Sequence, residues 1–212
     1  RYARESLDAD YVIVAMSGDF VQRGAPALMP KHLRAEMALL GGADLVLELP
    51  VQVSTASAEG FAAGGVSLLD GLGIVDELCF GSECGDTEIL METARILVAE
   101  PPAYRDFLQK NLRAGMSFPL ARSHALTSYV AKSAISDVSS GDGHFIFSEQ
   151  MDSILSSPNN ILGIEYCKAL LHQHSSIRPH ALLRKGSGYH DADLSDVSGD
   201  FFPSASGIRE LL

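Results

Sequence analysis

The sequence has 212 residues, of which 46% are hydrophobic, and a formal net charge of −11. A chain of this length and apolar content can bury a large core, whereas its acidity argues against a broad surface for a nucleic-acid backbone and leaves only a local patch open. No apolar run reaches the roughly 18 residues that a membrane span requires, and the three cysteines form neither a CxxC pair nor a Cys/His ligand set. These features predict a soluble cytoplasmic protein with reduced thiols.

Strands and helices alternate along the chain, and glycine or proline stands at many of the boundaries between them. The predicted strands are residues 11–16, 44–49, 77–80 and a last segment that begins at 180. The predicted helices are residues 30–40, 56–69, 87–99, 104–114, 117–133 and 157–171, with a further helix start near 204–206. This alternation with short connections predicts a parallel-sheet α/β fold.

Two of these elements carry a more specific expectation. The run YVIVAM at residues 11–16 is apolar throughout, which is typical of a strand covered on both faces. The helix at residues 30–40 has Leu33, Met37 and Leu40 on one side and its charged residues elsewhere. A pair of glycines is expected to end this helix.

Ligands of parallel sheets bind where loops and helix starts meet at the carboxyl ends of the strands. The loop after the first strand presents Gln22 and Arg23 between glycines, although a surface turn with a solvated arginine explains it equally well. The loop after the third strand begins with Gly81, Ser82 and Glu83, which offer backbone N–H groups and a carboxylate. An ordinary strand-to-helix turn remains the alternative there.

Three later segments also place polar or charged side chains at a predicted strand end or helix start. Asn159 and Asn160 open a helix, and two consecutive asparagines exceed what an N-cap needs, whereas their amides suit a base edge or a ribose hydroxyl. Arg184 follows an apolar stretch, where it could meet a phosphate or remain solvated. Ser206 at a helix start, with Arg209 one turn further on, resembles an anion cradle. Together the segments favour a nucleotide or phosphate site.

Other chemistries have weaker support. His172 and His174 have an HxH spacing in a polar stretch at a helix end, which favours solvated histidines over a metal site. His190 in Tyr-His-Asp is a candidate member of a polar network. The sequence has no Walker A lysine, G-x-S-x-G or GxGxxG motif, which argues against P-loop, α/β-hydrolase and dinucleotide-binding proteins.

Six ordered segments resemble the bacterial tRNA(Met) cytidine acetate ligase family across nearly the whole chain: MSGDFVQRGAPA, KHLRAEMALLGGADLVLELP, CFGSECGD, SPNNILGIEY, GYHDADL and SASGIREL. The resemblance implies a Rossmann-like fold of the HIGH-type nucleotidylyltransferases, with helices on both faces of a parallel sheet. It makes residues 1–212 one ATP-binding domain, in which residues 117–143 form a helical and loop excursion. Enzymes of that family use ATP to activate acetate as acetyl-adenylate and then acetylate N4 of the wobble cytidine in elongator tRNA(Met).

The same resemblance assigns site residues. The positions that match ATP contacts are Gly81, Asn159 and Arg184, with Asn160 as the neighbouring alternative. Ser206 and Arg209 match a phosphate-binding helix start. No resident metal is expected, because Mg²⁺ would arrive with ATP, held mainly by phosphates and water.

The family's His-x-Gly-His loop and its catalytic histidines are expected upstream of Arg1, and a helical region is expected after residue 212. Residues 1–212 alone are therefore expected to be inactive. Two other functions stay open at this point. One is a small-molecule nucleotidylyltransferase that transfers AMP or CMP to a phosphorylated metabolite, and the other is a nucleotide-binding module without catalysis.

Overall fold

In the computed structural model of the chain, the described residues are 2–22, 24–136, 151 and 153–184. The elements follow in the order α1 (Tyr2–Ser6), β1 (Ile13–Ser17), α2 (Lys31–Leu40), β2 (Leu45–Leu49), α3 (Val51–Ser54), α4 (Ala58–Asp70), β3 (Glu77–Ser82), α5 (Thr87–Ala99), α6 (Pro102–Arg113), α7 (Phe118–Ser136), α8 (Pro158–His172) and β4 (Arg178–Leu183). No helix within these ranges is both long enough and apolar enough to cross a membrane.

The described residues form two compact units. The first contains residues 2–79, apart from 23, together with 176–178 and 184; the second contains the described residues of 80–175 and residues 179–183. Residues 1–212 as one ATP-binding domain, with an excursion at 117–143, stays a prediction.

β1 and β2 pair in parallel, in a register that places Ile13 beside Leu45 and Ser17 beside Leu49. α2 supplies the crossover that a parallel pair requires. This arrangement agrees with the predicted parallel-sheet α/β class. All five residues of β1 are only half-buried, so the expectation of a strand covered on both faces was wrong for the part of the chain that the structure describes. There the sheet of β1 contains one partner strand, β2, which leaves β1 an open edge.

α2 turns a different face inward from the one that carries its large apolar residues. The half-buried positions repeat at helical spacing and are Lys31, Arg34, Ala35 and Ala38. Leu33, Met37 and Leu40 lie on the outer side, where they are 44%, 51% and 82% exposed. The guanidinium of Arg34 explains this orientation, because it donates hydrogen bonds to backbone carbonyls at the end of β1.

The core of the second unit lies largely between α5 and α8, whose buried side chains include Leu90, Ala94, Ile164 and Cys167. Gly163 permits the close approach, since a Cβ atom there would lie 2.8 Å from Phe80 and 3.0 Å from Leu90. A further cluster joins α5, α6 and α7 with Met151, and its members are Ile96, Tyr104, Ala125, Leu126, Val130 and Met151.

β3 and β4 form a second two-stranded sheet. Glu77 at the start of β3 accepts hydrogen bonds from the guanidinium of Arg178, and this contact raises the pKa of Arg178. The backbone N–H of Ala181 donates to the hydroxyl of Thr87 at 2.8 Å, which connects β4 to the start of α5. β3 continues through Ser82, so Gly81 lies within the last two residues of the strand rather than after it.

Candidate nucleotide-binding site

A carboxylate from the loop after β3 caps the N-terminus of α8. Glu83 Oε1 accepts hydrogen bonds from the side-chain amide of Asn159 at 2.6 Å and from its backbone N–H at 3.3 Å. Glu83 Oε2 accepts the backbone N–H of Asn160 at 2.8 Å. Ser157 occupies the N-cap position but makes no capping bond through its side chain. The charge of Glu83 therefore satisfies the free N–H groups and complements the helix dipole.

Asn160 fixes the conformation of the same loop. Its side chain is 2% exposed, and its Oδ1 accepts hydrogen bonds from the Ser82 hydroxyl at 2.7 Å and from the Cys84 N–H at 3.0 Å. The Ser82 hydroxyl in turn accepts the N–H of Gly85 at 3.1 Å. The amide oxygen of Asn160 thus has partners inside the protein, which distinguishes this asparagine from its neighbour.

Asn159 is half-buried. Its side chain forms a hydrogen bond through Nδ2, whereas that of Asn160 does so through Oδ1. A carboxylate can only accept hydrogen bonds, so the contact with Glu83 fixes Asn159 Nδ2 toward the carboxylate and leaves Oδ1 turned the other way. Gly81 is exposed and lies two residues before Glu83 on the same segment. Glu83 therefore connects Asn159 to the segment that contains Gly81, and Asn159 presents a hydrogen-bond acceptor.

The remaining predicted site residues are positioned less completely. Arg184 is exposed and directly follows the last residue of β4. Four others, which are Arg23, His190, Ser206 and Arg209, lie outside the described residues. Gln22 is half-buried in the loop after β1.

That loop after β1 is a short hairpin held against α2. The N–H of Val21 donates to the carbonyl of Ala25 at 3.0 Å, and the N–H of Ala27 donates to the carbonyl of Asp19 at 2.8 Å. Arg34 donates to the carbonyls of Ser17, at 2.8 Å, and Gly18. The glycine loop that follows β1 is therefore fixed by a cation on the following helix.

A second charged contact lies at the ends of β1 and β2. The ammonium of Lys31 donates to both carboxylate oxygens of Glu48, at 3.0 and 2.8 Å, and this hydrogen bonding raises the pKa of Lys31. The Glu48 carboxylate lies against Gly18, where a Cβ atom would collide with it. A cavity of about 260 Å³ opens beside this contact and is lined by Gly18, Asp19, Phe20, Glu48, Leu49 and Val51.

Metal and thiol chemistry find little support. Within the described ranges, no three His, Cys, Asp or Glu side chains come together as a metal site would require, and His172 and His174 are both exposed. The cysteines are unpaired with one another. Burial raises the pKa of Cys167 to about 12, which makes it a poor nucleophile.

The sequence patterns did not indicate two carboxylate contacts of the candidate site. They indicated the carboxylate of Glu83 but not its contact with Asn159, because the two lie 76 positions apart. The contact of Glu48 was missed as well, although a charged residue near the end of the otherwise apolar run DLVLEL was a visible signal.

A parallel pair of strands joined by a helix, with polar side chains following the strand ends, is an arrangement typical of nucleotide-binding α/β proteins. The chain belongs to the HIGH Nucleotidyl Transferase family, whose model matches residues 1–212. Among curated proteins it is similar to tRNA(Met) cytidine acetate ligases. The identity is 45% over 99% of this chain and 49% of the Clostridium perfringens SM101 protein. It is 46% over 99% of this chain and 48% of the Clostridium acetobutylicum ATCC 824 protein.

Two solved structures are also similar. The apo form I crystal structure of Thermotoga maritima TmcAL has a TM-score of 0.84 at 42% identity and matches 99% of this chain and 46% of that chain. The form II structure of the same protein bound with alpha-thio ATP has a TM-score of 0.80 at 41% identity, over 99% and 44%. The chain thus spans about half the length of the curated relatives it matches. These similarities confirm the predicted fold and the resemblance drawn from the six motifs.

Proposed function

We propose that the protein activates acetate with ATP and acetylates N4 of the wobble cytidine in elongator tRNA(Met). The main support is the identity of about 45%, over 99% of this chain, to proteins named tRNA(Met) cytidine acetate ligase. ATP use is supported by the similarity to a structure bound with alpha-thio ATP. A reaction on tRNA that consumes ATP belongs in the cytoplasm, which is the proposed location.

The reaction has two chemical steps. An acetate oxygen attacks the α-phosphorus of ATP, the bond to the bridging oxygen breaks, and pyrophosphate leaves. The amine of the cytidine then attacks the acetyl carbonyl, and AMP leaves. The protein has to hold the reactants in line and stabilise the phosphate charge, as is usual for such transfers. Mg²⁺ would accompany the ATP on its phosphates.

Three residues are proposed to bind ATP. Gly81 allows the backbone at the end of β3 to approach the nucleotide, since it has no side chain. Asn159 offers its Oδ1, which Glu83 leaves available, to a donor on the base or ribose. Arg184 is exposed and carries a charge suited to phosphate. Ser206 and Arg209, outside the described residues, are proposed as a further phosphate contact.

The test uses the full-length gene product with ATP, labelled acetate and an elongator tRNA(Met) transcript. Nucleoside mass spectrometry should detect acetylcytidine at the wobble position only when ATP is present. Arg184→Ala should lower its formation by about tenfold or more, because a charged hydrogen bond to phosphate is lost. Arg105→Ala, on the exposed side of α6, is the matched control and should match the unsubstituted protein. Pyrophosphate release with a phosphorylated metabolite, without acetylcytidine, would instead identify a small-molecule nucleotidylyltransferase.

A further inference from the structure

The cavity at the ends of β1 and β2 lies entirely within the first unit and has no role in the ATP contacts proposed above. Its volume of about 260 Å³ is enough for a planar heterocycle. Phe20, one of its lining residues, is 47% exposed, and the side chain of Glu48 is 51% exposed. The cavity is therefore accessible from solvent.

The lining combines an aromatic and apolar wall with acidic groups. Phe20, Leu49 and Val51 offer apolar surface, whereas Asp19 and Glu48 are carboxylates. Carboxylates repel acetate and phosphate but accept hydrogen bonds from an amine. The chemistry of the lining therefore fits a flat ring that carries an exocyclic amine.

Glu48 is held in one orientation at this site. Lys31 donates to both of its carboxylate oxygens, and Gly18 provides the space that the carboxylate occupies. The backbone N–H of Lys31 donates to Asp19 Oδ1 at 3.3 Å, which links the same lysine to the second carboxylate. A fixed acceptor beside an exposed aromatic ring is the arrangement by which proteins bind bases that have left their stack.

We propose that this cavity receives the cytosine that is acetylated, with Phe20 against the face of the ring and Glu48 accepting a hydrogen bond from the N4 amine. This inference rests on the proposed function, because it identifies where the acceptor base of that reaction binds. A carboxylate and the N4 amine of cytosine are complementary partners, whereas uracil carries a carbonyl oxygen at the same position.

In this proposal Glu48 also accepts the proton that the N4 amine loses during acetyl transfer. When N4 attacks the acetyl carbonyl carbon, a C–N bond forms. The bond from that carbon to the phosphoryl oxygen breaks, and AMP leaves with the electron pair. The proton that N4 loses passes to the carboxylate of Glu48. No oxidant, reductant or other reactant is needed.

The test separates the two steps of the reaction in the full-length gene product. Acetate-dependent exchange of labelled pyrophosphate into ATP, without tRNA, reports the first step. Transfer of acetyl from preformed acetyl-adenylate to the tRNA(Met) transcript in a single turnover reports the second. The variants are Glu48→Gln, which keeps the shape of the side chain but not its charge, and Phe20→Ala. Glu36→Gln, on the exposed side of α2, is the control.

We expect Glu48→Gln to leave pyrophosphate exchange within about twofold of the unsubstituted protein and to lower acetyl transfer by about a hundredfold, the usual effect of losing a proton acceptor. Phe20→Ala should lower transfer by about tenfold, through the loss of stacking. Both side chains are about half exposed, so the variants should unfold at nearly the same temperature as the unsubstituted protein.

A binding measurement gives an independent readout. The unsubstituted protein should bind an anticodon stem-loop with the wobble cytidine more tightly than one with uridine there, and Glu48→Gln should abolish the difference. The inference is overturned if Glu48→Gln lowers exchange as much as transfer, or if both variants transfer acetyl normally. If the unsubstituted protein shows no acetate-dependent exchange, the proposed function fails as well, and with it this inference.

Discussion

At the scale of single residues, the carboxylate of Glu83 connects two parts of the candidate site. It accepts hydrogen bonds from both backbone N–H groups at the start of α8 and from the side chain of Asn159. Hydrogen bonds to a charged acceptor are stronger than those between neutral groups. The same three contacts therefore stabilise the helix and select the rotamer of Asn159.

Glu83→Gln is expected to change ATP binding as well as stability. The uncharged amide no longer forces Asn159 Nδ2 inward, so the KM for ATP should rise by about tenfold while kcat for pyrophosphate exchange changes little. Loss of the cap should also lower the free energy of unfolding by about 1–2 kcal/mol. Exchange kinetics and urea unfolding of the full-length gene product measure the two effects.

Glu88→Gln is the control, because Glu88 is an exposed first-turn glutamate of α5. An unchanged KM in Glu83→Gln, together with the expected loss of stability, would show that Glu83 is a structural cap and would contradict the proposal that Asn159 binds ATP.

Part of this candidate site could be predicted from the sequence, whereas the contact between its two segments could not. Gly81 and Asn159 could be predicted as candidate site residues because they lie near predicted strand and helix ends, and such ends follow local sequence rules. The contact between Glu83 and Asn159 joins residues 76 positions apart, and one sequence contains no local signal for a pairing at that distance.

At the scale of elements, helix boundaries followed local chemistry closely. The predicted helix at residues 87–99 coincides with α5, whose N-cap Asp86 accepts the N–H groups of Glu88 and Ile89. The inward face of α2 did not follow from its apolar residues. Arg34 is half-buried and its guanidinium donates hydrogen bonds to two backbone carbonyls, while Met37 is exposed to solvent. The tertiary contact of Arg34 with these carbonyls determines which face of α2 packs inward, and the spacing of apolar residues does not indicate such a contact.

This orientation of α2 makes a testable contrast. Arg34→Met leaves the carbonyls of Ser17 and Gly18 without their donor and should lower the free energy of unfolding by about 1–3 kcal/mol. Met37→Gln, one turn away on the exposed side, should change it by less than about 0.5 kcal/mol. Urea unfolding of both variants measures the two changes in the free energy of unfolding. A greater loss in Met37→Gln than in Arg34→Met would show that the apolar face is the packed one.

At the scale of the whole molecule, the net charge of −11 coexists with buried residues that are mainly apolar. In α8, which belongs to the second unit, Cys167 is buried and the preceding Tyr166 is half-buried. Burial raises the pKa of Cys167 to about 12 and that of Tyr166 to about 12. Both groups therefore remain neutral in the folded protein at pH values where the unfolded chain releases their protons.

Stability should consequently fall in alkaline solution. Below the ordinary thiol pKa of 9.0, Cys167 is protonated in both states and its contribution is fully present. As pH rises above that value, the unfolded chain binds fewer protons than the folded protein, and the free energy of unfolding decreases. Between about pH 8 and about pH 10.5 the loss from this thiol should be on the order of 2 kcal/mol.

Urea unfolding at the two pH values tests this expectation. Cys167→Ala should reduce the pH dependence, whereas Cys84→Ala, at a half-buried position, should retain it. An identical pH dependence in Cys167→Ala and the unsubstituted protein would contradict the assignment to this thiol.

The cap that Glu83 supplies to α8 also bears on the order in which the protein assembles. During synthesis the loop after β3 leaves the ribosome before Asn159 does. The carboxylate of Glu83 therefore has no helix to cap until α8 has been synthesised. Until the two segments dock, the first turn of α8 has no capping side chain of its own, since Ser157 makes no such bond. Helix start and loop should therefore become ordered in a single event. Protection of the Asn159 and Asn160 amide hydrogens during refolding would mark the moment at which the candidate site is complete.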